Sequence, residues 1–586
     1  MQFPSIQEIN ESVLKVIRRF PVPIAVSLAG TGMTIFLIEN HESEYETVLK
    51  ALLTMFLALP LFVGINAWAK SINATLLKRG IAIALGIVCL VLYYFSIKNI
   101  DNIEHAYRFA GLLIALHLLV SFLPYLNKKP IASFWNYNRS LFLRAVESGL
   151  FSLIIFAGIA LAILALNKLF GVNFDDVIYA QLFFTIIGIF NTFYFLAGFP
   201  NDFDKDLRGQ AYPRPLSVFC KYISIPIVLL YFVILYAFTI KIALNWEWPQ
   251  GWISKLILFF SVIGILVYLL SYYLNRHENS ILVKWFKKGY FYALLPMSIV
   301  LILALWRRFS DYGITENRYL VSLLGIWLFC ISVYFIISKR DNIKAIPISL
   351  FGFILFGLFS GPLSIFNFPA NNQVDRLERL LSQHQLLENG KIKTNPRLAN
   401  LTEVSREVSS AIVYLTNNNY QEKIYPWFDQ QLDTMPLNAS PYLKAMDLSF
   451  EYFSEDLSNE NFYNFYSNDF TSISISDYDY YGYYIGASYY PKSQMYSLNI
   501  VDNSLVEILD DNDKSLASFD LLELIDTLKR KDVEHNQAMS QEDLKFSFEN
   551  ENYRLMLLPR YVNFTELASG ELINFAMETS FFIMIK

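Results

Sequence analysis

The sequence predicts an α-helical polytopic membrane protein of about eleven transmembrane helices, followed by an extracytoplasmic α+β domain at the C-terminus. Three observations carry that reading. Hydrophobic residues make up 54% of the 586-residue chain, with 50 Phe and 37 Tyr, and the excess lies before Phe368. From Asn367 onward there are 33 acidic and 17 basic residues, leaving 19 and 30 for residues 1–366, so the net charge of -5 divides into +11 and then -16. The hydrophobic pattern also changes, from runs of about 20 apolar residues, the length that crosses a bilayer core, to a period of two near the C-terminus. The expected division is a helical domain over 1–366 and an acidic domain over 367–586. Cys89, Cys220 and Cys330 all lie in apolar runs, so disulfides are not expected and the acidic domain must hold itself by its own core. The opening segment, Met1–Phe20, is a polar amphipathic lead without a cleavable signal pattern.

Eleven runs qualify as spans: Phe20–Ile38, Val48–Trp68, Ile81–Ile97, Tyr107–Leu126, Leu150–Phe170, Val177–Phe199, Leu216–Leu244, Trp252–Leu274, Tyr290–Trp306, Tyr319–Ser338 and Ile346–Phe366. Lipid satisfies no backbone group, so such runs are helices. Pro60, Pro124, Pro226, Pro296, Pro347 and Pro362 interrupt them. Between the fourth and fifth runs, Ile131–Arg144 sets Trp135, Tyr137 and Phe142 among basic residues, the pattern of a helix lying along the cytoplasmic interface. With the N-terminus inside, 21 Lys and Arg fall on the cytoplasmic side and 9 on the other, which satisfies the positive-inside rule. Glu39, Glu42, Glu44, Glu46, Asp175 and Asp176 then face outward. An odd number of spans delivers the acidic domain to the outside, the periplasm of a bacterium with two membranes.

In that domain Val374, Leu377, Leu380 and Leu381 repeat at helical spacing, and Asn400 with Glu403 predicts a capping box for a helix through Thr416. FTSISIS, YYIGASYY, QMYSLNIV, LKFSF and YRLMLL read as strands, with a helix over Leu516–Lys529 between them. The expected sheet is antiparallel, and the Asn- and Tyr-rich stretch Ser454–Tyr490 reads either as strands or as a loop-rich surface.

Several short strings recur in a characteristic order: RFP at Arg19–Pro21, FLAGFP at Phe195–Pro200, YP at Tyr212–Pro213, YGITENRY at Tyr312–Tyr319, RLERLL to GKI over Arg376–Ile392, and WF at Trp427–Phe428. In order and spacing they resemble the bacterial membrane proteins grouped as domain-of-unknown-function family four-one-five-three. The resemblance covers most of residues 19–430. It implies a multi-span N-terminal half and an extracytoplasmic C-terminal domain, and no particular activity. Pro215 departs from the family pattern, where a small or charged residue is expected, and stiffens the entry to the seventh span.

The candidate binding or interdomain residues lie around YGITENRY. Arg307, Arg308 and Arg318 break the charge rule by standing on the outer face, and with Tyr312 and Tyr319 they offer either a fork for phosphate or carboxylate oxygens or an anchor for the acidic domain. Gly313 permits the turn between them. The plainer reading has these arginines anchoring helix ends and pairing with Asp311 and Glu316. His117, in the middle of its span, is a candidate proton relay; its plainer reading is a neutral ring bonded to Asn191 or to a carbonyl. Asp202, Asp204, Asp206, Arg208 and Arg214 suggest a magnesium-diphosphate loop of prenyltransferase type, but the alternate spacing and the lack of a second acidic cluster favour a solvated, internally paired loop. The outer glutamates suggest a lipid-linked glycosyltransferase base on a loop shorter than such enzymes carry.

Catalytic residues are therefore unknown, and no metal or cofactor is expected. The acidic domain lacks the basic stripe of a nucleic-acid binder. The expected partners are membrane lipid and an envelope protein, with oligomeric state unspecified. The leading functional expectation is envelope assembly, sensing or partner docking through the extracytoplasmic domain. The alternatives are transport of a small or lipid-like anion and lipid-linked glycosyl or prenyl transfer.

Overall fold

A computed structural model of the chain describes residues 6–39, 45–98, 100, 103–127, 130–172, 174–203, 212–245, 252–274, 280–338, 342–393, 402–428, 432, 435–436, 438–448, 460–467, 477–485, 495–501, 503–510, 514–531, 536–567 and 572–586. The chain divides into two compact units, Met1–Asn372 and Gln373–Lys586.

The first unit is a multi-pass membrane bundle. An amphipathic helix α1 (Ile6–Arg19) leads into α2 (Pro21–Glu39), α3 (Tyr45–Ser71), α4 (Leu76–Ser96), α5 (Ile103–Phe122), α6 (Ile131–Phe170), α7 (Val177–Ala197), α8 (Arg214–Asn245), α9 (Trp252–Ser271), α10 (Ile281–Tyr312), α11 (Glu316–Ile337) and α12 (Ala345–Phe359). Among the described residues, ten of these, α2 to α11, are long and apolar enough to cross a bilayer. The eleventh predicted run is shorter than expected: α12 has 15 residues and gives way to a 3₁₀ turn over Gly361–Leu363, because Gly361 takes a positive φ and Pro362 follows. α3 packs between α2, α4 and α5, while α10 lies against α9 and α11. Pro60 and Pro296 sit inside continuous helices. Helices α7 and α8 each contain a π-helical segment, Ile186–Asn191 and Phe219–Ser224.

One expectation is corrected here. The amphipathic stretch Ile131–Arg144 is not a separate interfacial helix; it continues into the fifth span as the 40-residue α6. Nothing between Pro130 and the left-handed Gly171 breaks the ladder, and at 1.5 Å per residue α6 is about 60 Å long, twice the bilayer core.

Helix α13 (Asn367–Gln383) begins in the first unit and ends in the second. The second unit is α+β. After the hairpin β1 (Leu387–Glu388) and β2 (Lys391–Ile392) comes α14 (Thr402–Asn417); the predicted cap Asn400 lies outside the described residues. A mixed sheet is built around the hairpin β10 (Tyr553–Leu567) and β11 (Leu572–Ile585). One edge of β10 pairs with both β3 (Glu460–Tyr466) and β9 (Phe546–Glu549), and β11 pairs with β4 (Tyr480–Ile485). β8 (Asn536–Ala538) joins β3 in parallel, which corrects the all-antiparallel expectation. β5 (Tyr496–Val501), β6 (Leu505–Asp510) and β7 (Ser515–Asp520) form an antiparallel meander. Residues Leu516–Phe519 are therefore strand where helix was expected. The helix α17 (Leu522–Lys531), the third after α14 counting the short turns Tyr425–Phe428 (α15) and Ser440–Ala445 (α16), starts only after Asp520 Oδ1 accepts the Leu522 N–H at 2.8 Å. Leu524, Ile525 and Leu528 of α17, Val506 and Ile508 of the meander, and Phe465, Phe564 and Phe581 of the larger sheet share one core. Glu460–Tyr466 and Tyr480–Ile485 make strands of the Asn- and Tyr-rich stretch; FTSISIS lies outside the described residues.

Candidate functional site

The loop between α10 and α11 is a closed turn. Gly313 ends α10 with φ 74° and ψ -175°, a conformation that needs glycine. Arg318, 6% exposed, turns back to donate to the Gly313 carbonyl at 2.6 Å. The Ile314 N–H donates to Asn372 Oδ1 at 2.9 Å, and Tyr319 sends its hydroxyl to the Leu363 carbonyl and its ring to Phe368, centroids 5.7 Å apart. From α5, Tyr107 donates to Asn317 Oδ1 at 2.8 Å and Arg108 lies over the Phe366 ring at 5.0 Å. The loop thus grips the first turns of α13. Arg307 is exposed and Arg308 half-buried at the end of α10, and neither joins Arg318 at the turn. Tyr312 closes α10; its side chain lies outside what is described.

His117 and Asn191 do not meet as hydrogen-bond partners. His117 is exposed on the bundle surface, its Nδ1 donating to the Leu113 carbonyl one turn earlier at 2.8 Å. Asn191 closes the π segment of α7 with a buried Oδ1 that has no hydrogen-bond partner. Of the proposed carboxylates, Glu39 accepts from Gln181 at 2.9 Å and Glu46 pairs with Lys50 at 2.8 Å. Glu42, Glu44, Asp204, Asp206 and Arg208 lie outside the described residues, and Asp202 and Arg214 are exposed.

A second polar network lies where α1 ends. Arg19 donates through both terminal nitrogens to the carbonyls of Phe199 (2.8 Å) and Pro200 (2.6 Å), and its guanidinium lies 4.7 Å from the Phe20 ring and 5.6 Å from that of Phe199. Burial pulls its pKa below the usual arginine range. The rings of Phe20 and Phe199 meet edge to face at 5.4 Å. Below Gly198, Arg144 pairs with Glu147 at 2.8 Å and stacks over Tyr194 at 4.0 Å, while the Tyr194 hydroxyl donates to the same carboxylate at 2.8 Å. A Cβ on Gly198 would fall 1.8 Å from Arg144 Nε, so glycine is what lets the arginine lie against the backbone. Around this sit Tyr125, bonded to the Phe203 carbonyl (3.0 Å), Tyr137 to that of Val120 (3.0 Å), Trp135 to that of Leu269 (2.7 Å), and Tyr212 to that of Leu270 (2.7 Å). Lys344 reaches the Tyr125 carbonyl at 3.4 Å, and burial lowers its pKa.

The family model for a domain of unknown function, DUF4153, matches residues 25–392. This chain belongs to the DUF4153 family. An uncharacterized protein of Pasteurella multocida, PM1469, is 24% identical over 397 residues, covering 65% of this chain and 62% of its own length. The chain thus aligns to less than two thirds of that relative. No solved structure matches.

On this DUF4153 chain the strings noted in the sequence turn out to be contact partners. RFP supplies Arg19, and FLAGFP supplies the two carbonyls it holds and the glycine that admits Arg144; YP supplies Tyr212, whose ring lies 5.8 Å from Trp135. YGITENRY is the grip on α13. Sequence reasoning missed Arg144, Glu147 and Tyr194; the signal was available as a Glu three residues after an Arg at the start of a long apolar run.

Proposed function

We propose that this is a multi-pass protein of the bacterial cytoplasmic membrane, N-terminus inside, that displays its C-terminal unit outside for docking an envelope partner. The observation that carries this is the grip of loop 313–319 on the first turns of α13, the helix by which the chain leaves the bundle. Arg318 is committed to the carbonyl of its own turn, which suits an anchoring role better than capture of a diffusing anion. The cation count supports the sidedness.

In spheroplasts, Asn372→Ala and Tyr319→Ala release α13, and trypsin added outside cleaves at Arg376 and Arg379 at least several-fold faster than in the parent protein. Equal cleavage rates removes the anchoring role. A fluorescent protein fused after Lys586 that glows, which it does only when it folds in the cytoplasm, reverses the sidedness and removes the proposal altogether.

A further inference from the structure

A cavity of about 330 Å³ lies near the N-terminal end of the bundle between α5, α6, α9, α11 and the start of α12. Its walls are mostly apolar, and among the described residues that line it Arg139 is the one ionisable side chain. The guanidinium lies 5.0 Å from the Trp135 ring; its Nε is buried without a hydrogen-bond partner, and among the described residues no carboxylate pairs with it. The indole and amide donors on the wall are engaged: the Trp135 indole with the Leu269 carbonyl (2.7 Å), the Trp327 indole with Ser349 Oγ (2.9 Å), and the Asn138 amide with the carbonyls of Ser121 (3.2 Å) and Phe134 (2.9 Å). A cation held among apolar side chains without a counter-charge is costly, and an anion entering from outside the chain would supply that charge. A small hydrophilic anion would leave water to face leucine, isoleucine and tryptophan. An amphiphile would not. Val262 and Leu266 belong to the wall and are 62% and 41% exposed on the outer surface of α9, where a multi-pass protein meets lipid.

We propose that this cavity seats an anionic phospholipid from the adjoining leaflet, its phosphate held by Arg139 and the upper part of an acyl chain lying between α6, α9 and α11. The volume is near the lower end of the range of ligand sites, about 300–1,000 Å³, so part of one chain is accommodated and the remainder stays in the bilayer. A planar fork suits the phosphate as an ammonium does not.

The test uses the full-length protein in nanodiscs and the quenching of tryptophan fluorescence by phospholipid brominated on its acyl chains, since Trp135 and Trp327 line the cavity. Brominated phosphatidylglycerol half-saturates at a concentration about tenfold lower than brominated phosphatidylcholine of the same chains, the scale of one charge-assisted hydrogen bond. Arg139→Gln brings the two within twofold. Leu266→Phe, at an exposed position that tolerates substitution, narrows the mouth and weakens phosphatidylglycerol several-fold with Arg139 intact. Equal quenching by the two lipids in the parent protein, a preference surviving Arg139→Gln, an unchanged response in Leu266→Phe, or displacement by equimolar inorganic phosphate overturns the proposal.

Discussion

Replacing Arg19 with alanine tests whether RFP and FLAGFP act as one clasp. The side chain gives two charge-assisted hydrogen bonds, at 2.8 and 2.6 Å, to carbonyls 180 and 181 residues away. Such bonds contribute roughly 1.5–3 kcal/mol each, and the contact with the Phe20 and Phe199 rings adds about 0.5–1 kcal/mol. The side chain is partly exposed and the two bonds share one group, so the sum is discounted to about 3 kcal/mol for Arg19→Ala. Lysine has a single point of charge and can reach one carbonyl, so Arg19→Lys costs about half as much. For a unit of this size that is a loss of roughly 5 °C in melting temperature for alanine, read by thermal precipitation of a fluorescent fusion in detergent. Arg18→Ala, at the exposed neighbour, is the control and leaves the melting temperature in place. If Arg19→Ala melts with the parent, or Arg18→Ala falls as far, the clasp does not hold the bundle together and the reasoning fails.

Three further outcomes are expected. Gly198→Ala pushes Arg144 off Tyr194 and away from Glu147, destabilising the bundle by about 1–3 kcal/mol, and Arg144→Ala in the same chain relieves most of that penalty; equal penalties in both backgrounds count against the contact. Phe465→Ala empties a fully buried position in the larger sheet and costs the second unit about 3–5 kcal/mol, visible as tryptic loss of residues 373–586 while the bundle fragment persists. Burial pushes the Tyr442 hydroxyl up to about 12, from an ordinary value of 10. The folded unit therefore keeps a proton that the unfolded chain gives up, so the stability this group contributes is complete below pH 10 and is lost as pH rises from 10 towards 12. Tyr442→Phe is correspondingly less sensitive over that window in an alkaline unfolding series, and an identical alkaline profile in the two proteins contradicts the assignment.

The bundle was legible because lipid imposes one rule on every span, so each apolar run announces a helix by itself. What depends on two distant runs was not. Arg19 could be seen beside Phe20 and Pro21, yet no local signal tells that its partners are Phe199 and Pro200. Arg139 read as an interfacial cation because the stretch holding it was expected to end at Arg144; only the continuation of α6 and the arrival of α9, α11 and α12 make a cavity around it. In the second unit, Leu516–Phe519 misled because its apolar residues adjoin those of α17, and the boundary is set by one carboxylate, Asp520, that a periodicity count passes over. β3 was obscured by its asparagines, although Tyr463 and Phe465 alternate inward as a strand requires. The roles first weighed for Arg318 divided between capture and anchoring; a guanidinium closing its own turn is a local arrangement, but one that sequence does not distinguish from a free one.

The unbroken length of α6 has a mechanical consequence. A rod of about 60 Å that pivots at its middle by about 5° carries each tip through some 2.6 Å, and no proline or left-handed residue between Ile131 and Phe170 would absorb the swing. Whatever presses on Trp135 at one tip is therefore felt near Asn167 and Gly171 at the other, on the far side of the bilayer, without any intermediate joint having to bend.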